Sequence, residues 1–82
     1  MANSKYDKFA VVETILKKDA PAEERVHKFD TLDHAEMLAN DLAINFADRF
    51  PHYRVERGFL FARMYKNGTD PIFAEQYEIK QL

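Results

Sequence analysis

No cysteine occurs among the 82 residues, which excludes disulfides and thiolate metal sites. Serine is nearly missing too: Ser4 is the only one, close to the start of the chain, so a serine or cysteine nucleophile has almost no footing. The two glycines, Gly58 and Gly68, are isolated, and neither sits in a loop of the kind that cradles phosphate. No apolar run approaches membrane-spanning length, and the opening MANSKYDKF lacks the apolar stretch of a secretory signal. Repeats, low-complexity runs and long linkers are absent as well. These absences set the expectation of a single domain over residues 1–82 in the reducing cytoplasm, with no cofactor, no metal and no membrane partner.

What is present is the composition of an ordered globular chain, 46% apolar and 13% aromatic. A chain this short builds one core and retains roughly 3–5 kcal/mol of net stability, so self-association is a natural way to gain more. The formal charge of −2 is unevenly spread. Residues 19–50 carry eight acids against Arg25, Lys28 and Arg49, while the two ends are mildly basic. Near-neutrality of this kind does not mark a dedicated DNA-binding protein.

The segment YDKFAVVETILKK, residues 5–17, is rich in β-branched and aromatic residues and reads as a strand. Phe9, Val11, Glu13 and Ile15 alternate with Ala10, Val12, Thr14 and Leu16, so both faces are mostly apolar and the strand belongs in a sheet interior. DAPAEE reads as a charged loop, and RVHKF, residues 25–29, as a short strand pairing back on the first. A helix over about residues 32–50 follows from the spacing of Leu32, Ala35, Leu38, Ala39, Leu42, Ala43, Phe46 and Phe50, with Thr31 or Asp30 as cap and Pro51 closing the run. HYRVERGFLFARMYK reads as one long extended stretch or two shorter ones broken near Gly58. NGTDP is a turn signal, and residues 72–79 form the last strand. The expected fold class is α+β: a four-stranded antiparallel sheet in the order β-β-α-β-β, with one helix packed on one face.

One helix covers one face of such a sheet. With both faces of two strands apolar, the other face is expected to keep a contiguous apolar patch, a usual mark of an interaction site. RGFLFARMY, residues 57–65, concentrates the relevant side chains. In an unbroken strand Arg57, Phe59, Phe61, Arg63 and Tyr65 share a face. The plainer alternative places Phe59 and Phe61 beneath the helix as core. A second, weaker patch is Met37 with Ile44, which project together from the outer side of the helix among acids and would suit a basic partner surface.

Arg57, Gly58, Phe59 and Phe61 resemble part of the signature of the RRM family of RNA-binding domains, in which bases stack on strand aromatics. Leu60 stands where that signature has Gly or Ala, Met64 where it has an aromatic, and the element order differs, so membership does not follow. The physical idea remains open: Arg interleaved with aromatics is what a single-stranded nucleic-acid platform needs. In size and plan the chain is also similar to small α+β inhibitor proteins encoded by phages, anti-CRISPR proteins among them, a likeness of architecture that no motif carries.

Other chemistry is thinly supported. His27, His34 and His52 show no ligand spacing, and Asp30 and Asp33 beside His34 lie where a helix start favours acids. Glu75 and Glu78 fall on opposite faces of a strand, and His52, Tyr53 and Glu56 have no spacing that demands proton transfer. The preferred expectation is therefore a non-catalytic protein-interaction module, a homodimer or a binder of a larger target, using Arg57, Phe59, Phe61, Arg63, Tyr65, Met37 and Ile44. The alternative is single-stranded nucleic-acid binding through the same strand.

Overall fold

The computed structural model describes residues 7–82. Residues 5 and 6 of the expected first strand, and Ser4, lie outside the described residues. The chain forms β1 (Phe9–Lys17), β2 (Ala20–Phe29), α1 (Leu32–Arg49), β3 (Arg54–Gly58), β4 (Phe61–Tyr65) and β5 (Glu75–Gln81). The sheet is antiparallel and five-stranded, not four-stranded, in the order β2-β1-β5-β4-β3. The fifth strand arises because residues 53–66, which read as one strand or as two broken near Gly58, form two that fold back at Phe59 and Leu60.

Two hairpins, β1–β2 and β3–β4, stand side by side, and β5 enters between them to complete the sheet. Just past the end of β5, the Leu82 N–H donates to the Lys8 carbonyl at 2.8 Å, beside the start of β1. Directly paired residues share a face, so the register separates the two sides. Val11 pairs with Ile79, and Ala62 with Tyr77; these four and Met64 form the core against Ala35, Ala39, Ala43 and Phe46 of α1. The helix thus covers the odd-numbered face of β1 and the even-numbered face of β4. Three of its four buried residues are alanines, which let its backbone approach the sheet closely, while Phe46 fills the remaining depth.

Helix α1 starts as its sequence dictates. The Thr31 side chain accepts from the His34 N–H at 3.2 Å, satisfying one of the orphan donors of the first turn. At the other end Phe50 and Phe46 stack with centroids 4.8 Å apart, and Arg49 lies over both rings while pairing with Glu75 at 2.9 Å.

Two further expectations are corrected. DAPAEE is not a loop: β2 begins at Ala20, and Pro21 is tolerated there because β2 is an edge strand. The last strand begins at Glu75 rather than at residue 72, and Ile72 remains exposed before it. The NGTDP turn does form, although Gly68 takes no positive φ; the Asn67 side chain closes it by accepting from the Thr69 N–H at 2.9 Å.

Candidate interaction surface

The β3–β4 hairpin carries most of the residues singled out above, and its turn decides where they point. Gly58 pairs with Phe61, leaving Phe59 and Leu60 as a two-residue connection. Leu60 has φ 62°, the left-handed region that tight turns use at a central position. For an L residue other than glycine this costs about 1–2 kcal/mol. Two contacts offset the cost: the Leu60 side chain packs against the core, and its carbonyl accepts from the Ile79 N–H at 2.7 Å. The turn is therefore anchored to the central strand.

That anchoring projects Phe59 outward. Its side chain is 88% exposed, the most exposed large apolar residue of the described chain. Burying a Phe contributes about 1.5–3 kcal/mol, which the folded chain forgoes here.

The turn also divides the face that an unbroken strand would have given. Phe61, Arg63 and Tyr65 lie on the open side of the sheet, away from α1. Arg57 pairs with the buried Ala62 and so lies on the helix side, and Phe59 belongs to neither face. Of the three open-side residues, only Phe61 and Arg63 are accessible. The Arg63 guanidinium lies 5.1 Å from the centre of the Phe61 ring, and the ring itself lies across Gly58. Tyr65 is buried beneath Arg54, whose guanidinium stands 3.7 Å above its ring. The Tyr65 hydroxyl donates to Glu56 at 2.5 Å. This hydrogen bond holds the Glu56 carboxyl below its usual range and raises the Tyr65 phenol.

The open side is not the contiguous apolar patch expected. Its register gives one row across the sheet of Val26, Val12, Glu78, Phe61 and Gly58, and next to it a polar row of Glu24, Thr14, Gln76, Arg63 and Glu56. The apolar row is interrupted by Glu78, and Ala10 and Tyr65, also on this side, are buried. Met37 and Ile44, by contrast, stand as expected on the outer side of α1, 63% and 59% exposed.

Between α1 and the hairpin a cleft opens, lined by Glu36, Ala39 and Asn40 on one wall and by Arg57 and Leu60 on the other, with Ile79 at its back. Its floor is apolar and its rim polar. Arg57 and Glu36 face this cleft from opposite walls, and neither has an ion-pair partner among the described residues. Local pattern could not reveal this cleft, because its walls come from the helix, the hairpin and the last strand.

A second cleft, at the opposite end of the sheet, also escaped sequence reasoning. Glu13 is buried there and meets His27 at 2.9 Å. Around it Lys17 pairs with Glu23 at 3.0 Å, and Arg25 pairs with the same carboxylate. The hydrogen bonds from Lys17 and then Arg25 lower the Glu23 carboxyl. An acid on an otherwise apolar strand face, Glu13 among Phe9, Val11 and Ile15, was the available signal. These charges satisfy one another, which suits a structural clasp. His34 meets Asp30 at 3.2 Å, so the acids at the helix start serve the cap region. Among the described residues no three His, Asp or Glu side chains converge as a metal site requires, and no helix is long and apolar enough to cross a membrane.

No known protein family, curated protein or solved structure matches the chain.

Proposed function

We propose that the chain is a non-catalytic protein-interaction module that engages its partner through the tip of the β3–β4 hairpin. One observation carries the reading: a rigidly anchored turn holds the Phe59 ring in solvent at 88% exposure. A pre-positioned aromatic flanked by Arg57 and Arg63 has the make-up of an interface hot spot, because aromatic and Arg side chains dominate binding energy when a partner desolvates them. Met37 and Ile44 offer a secondary contact on the adjoining helix. The likeness to phage-encoded inhibitors enters here only as a class of action, occupation of a larger protein's site.

Single-stranded nucleic acid is the weaker reading. A stacking platform needs successive accessible rings, and among the described residues the open side presents Phe61 alone, with Tyr65 sealed under Arg54 and with Glu78 and Glu56 as neighbours.

The test is affinity capture from nuclease-treated lysate of the native cells, with the wild-type chain and Phe59→Ser as parallel baits. Recovery of one stoichiometric protein by the wild type, lost with Phe59→Ser and little changed by moderate salt, is the expected result. Recovery that vanishes with nuclease, or falls steeply with salt, would favour nucleic acid instead.

A further inference from the structure

The exposed ring and the cleft adjoin. Phe59 stands immediately beyond Gly58, and Gly58 and Leu60 form part of the wall of the cleft that α1 closes with Glu36, Ala39 and Asn40. A knob beside a hole on one surface is self-complementary: a two-fold axis passing between them places each knob in the other copy's hole.

From this juxtaposition we infer that the partner of the hairpin is a second copy of this chain, in a two-fold dimer that exchanges Phe59 between the two clefts. The inference rests on the reading of the hairpin as a protein-binding element and specifies its occupant. Two observations support a copy of the chain over an unrelated protein. The cleft is backed by apolar Ala39, Leu60 and Ile79 and lies beside a ring that the single chain leaves in water.

The charges are complementary as well. The hairpin span, residues 54–66, carries four bases against Glu56, while α1 carries Asp33, Glu36, Asp41 and Asp48 against Arg49. Juxtaposed across the axis, the basic hairpin of one copy meets the acidic helix of the other, and Arg57 and Glu36, which have no ion-pair partner among the described residues, gain partners from the opposite copy. Met37, one residue from Glu36 on the exposed side of α1, lies at the rim where the second hairpin would rest.

Sedimentation equilibrium over a wide concentration series tests the inference, with circular dichroism melts as the control for folding. The wild type is expected to dimerise reversibly. Phe59→Ser is expected to weaken the association at least ~100-fold, since two rings leave one interface, with the melt of the dilute protein unchanged. Glu36→Arg or Arg57→Glu alone is expected to weaken it, and the two together to restore it, which a purely apolar contact would not do. A wild type that stays monomeric to millimolar concentration overturns the inference, as does a dimer that survives Phe59→Ser or one indifferent to both charge reversals. A monomeric wild type that still loses a captured protein with Phe59→Ser would sink the dimer and leave the hairpin reading standing; a capture indifferent to Phe59→Ser would sink the hairpin reading itself.

Discussion

Gly58 and Phe61 form the smallest unit on which the hairpin depends. A Cβ added at Gly58 would lie 1.9 Å from Cε1 of the Phe61 ring, so the ring covers the glycine in the manner of an aromatic placed across a bare strand position. Gly58→Ala must swing that ring off its seat, and the lost contact outweighs the ~0.5 kcal/mol gained from a stiffer unfolded chain. A net loss of about 1 kcal/mol in a chemical denaturation curve is expected, with displaced ring resonances of Phe61 as the structural sign. Beside it, Glu56 and Tyr65 link the hairpin to pH. The Glu56 carboxyl is lowered by its hydrogen bond from Tyr65, so the stability it supplies is present above the ordinary carboxylate range and is lost as pH falls through its folded value. The Tyr65 phenol is raised, so its share is present at neutral pH and disappears as pH climbs past the usual phenol range. Tyr65→Phe should therefore melt lower than the wild type at neutral pH, with the gap narrowing in acid. A gap that does not depend on pH would show that the hydrogen bond does not act this way.

At the scale of elements, the helix was legible because three independent signals agreed: the apolar spacing from Leu32 to Phe46, the Thr31 cap and Pro51 beyond the end. Thr31→Ala should cost about 1 kcal/mol, read as a lower melting temperature, by leaving the first-turn N–H donors to water. Strand β1 was equally clear, because both of its faces are apolar and it lies between β2 and β5. The β3–β4 turn was legible only as one of two readings, a break near Gly58 or an unbroken strand, and the break is what the chain has. Two-residue hairpins advertise themselves through Asn-Gly or similar pairs, and here the central residues are Phe59 and Leu60. Tertiary contacts hold Leu60 in a conformation that its own preference opposes, and local pattern cannot reveal a constraint supplied by Ile79. The unbroken reading placed Arg57, Phe59, Phe61, Arg63 and Tyr65 on one face, where the chain in fact distributes them between the helix side, the tip and the open side. Strand β2 was cut short for a related reason: Pro21 and the paired acids read as loop, but an edge strand accepts both.

For the whole molecule, the shortage of helical cover produces a smaller apolar remainder than simple alternation implies. Val12, Val26 and Phe61 are the apolar side chains of one row across the open side, and polar residues fill the next. The most exposed aromatic ring, Phe59, stands instead at the hairpin tip, beside the cleft under the acidic helix. A chain with roughly 3–5 kcal/mol to lose has little reason to leave a Phe in water unless something covers it. The most direct measurement is paired chemical denaturation of Phe59→Ser and Phe46→Ala in dilute solution. Phe46 is fully buried, and its removal should cost about 3–5 kcal/mol, enough to unfold the chain, whereas Phe59→Ser should leave the midpoint where the wild type has it. A Phe59→Ser midpoint displaced toward that of Phe46→Ala would mean that the ring serves the fold of the single chain, contradicting its assignment to a partner.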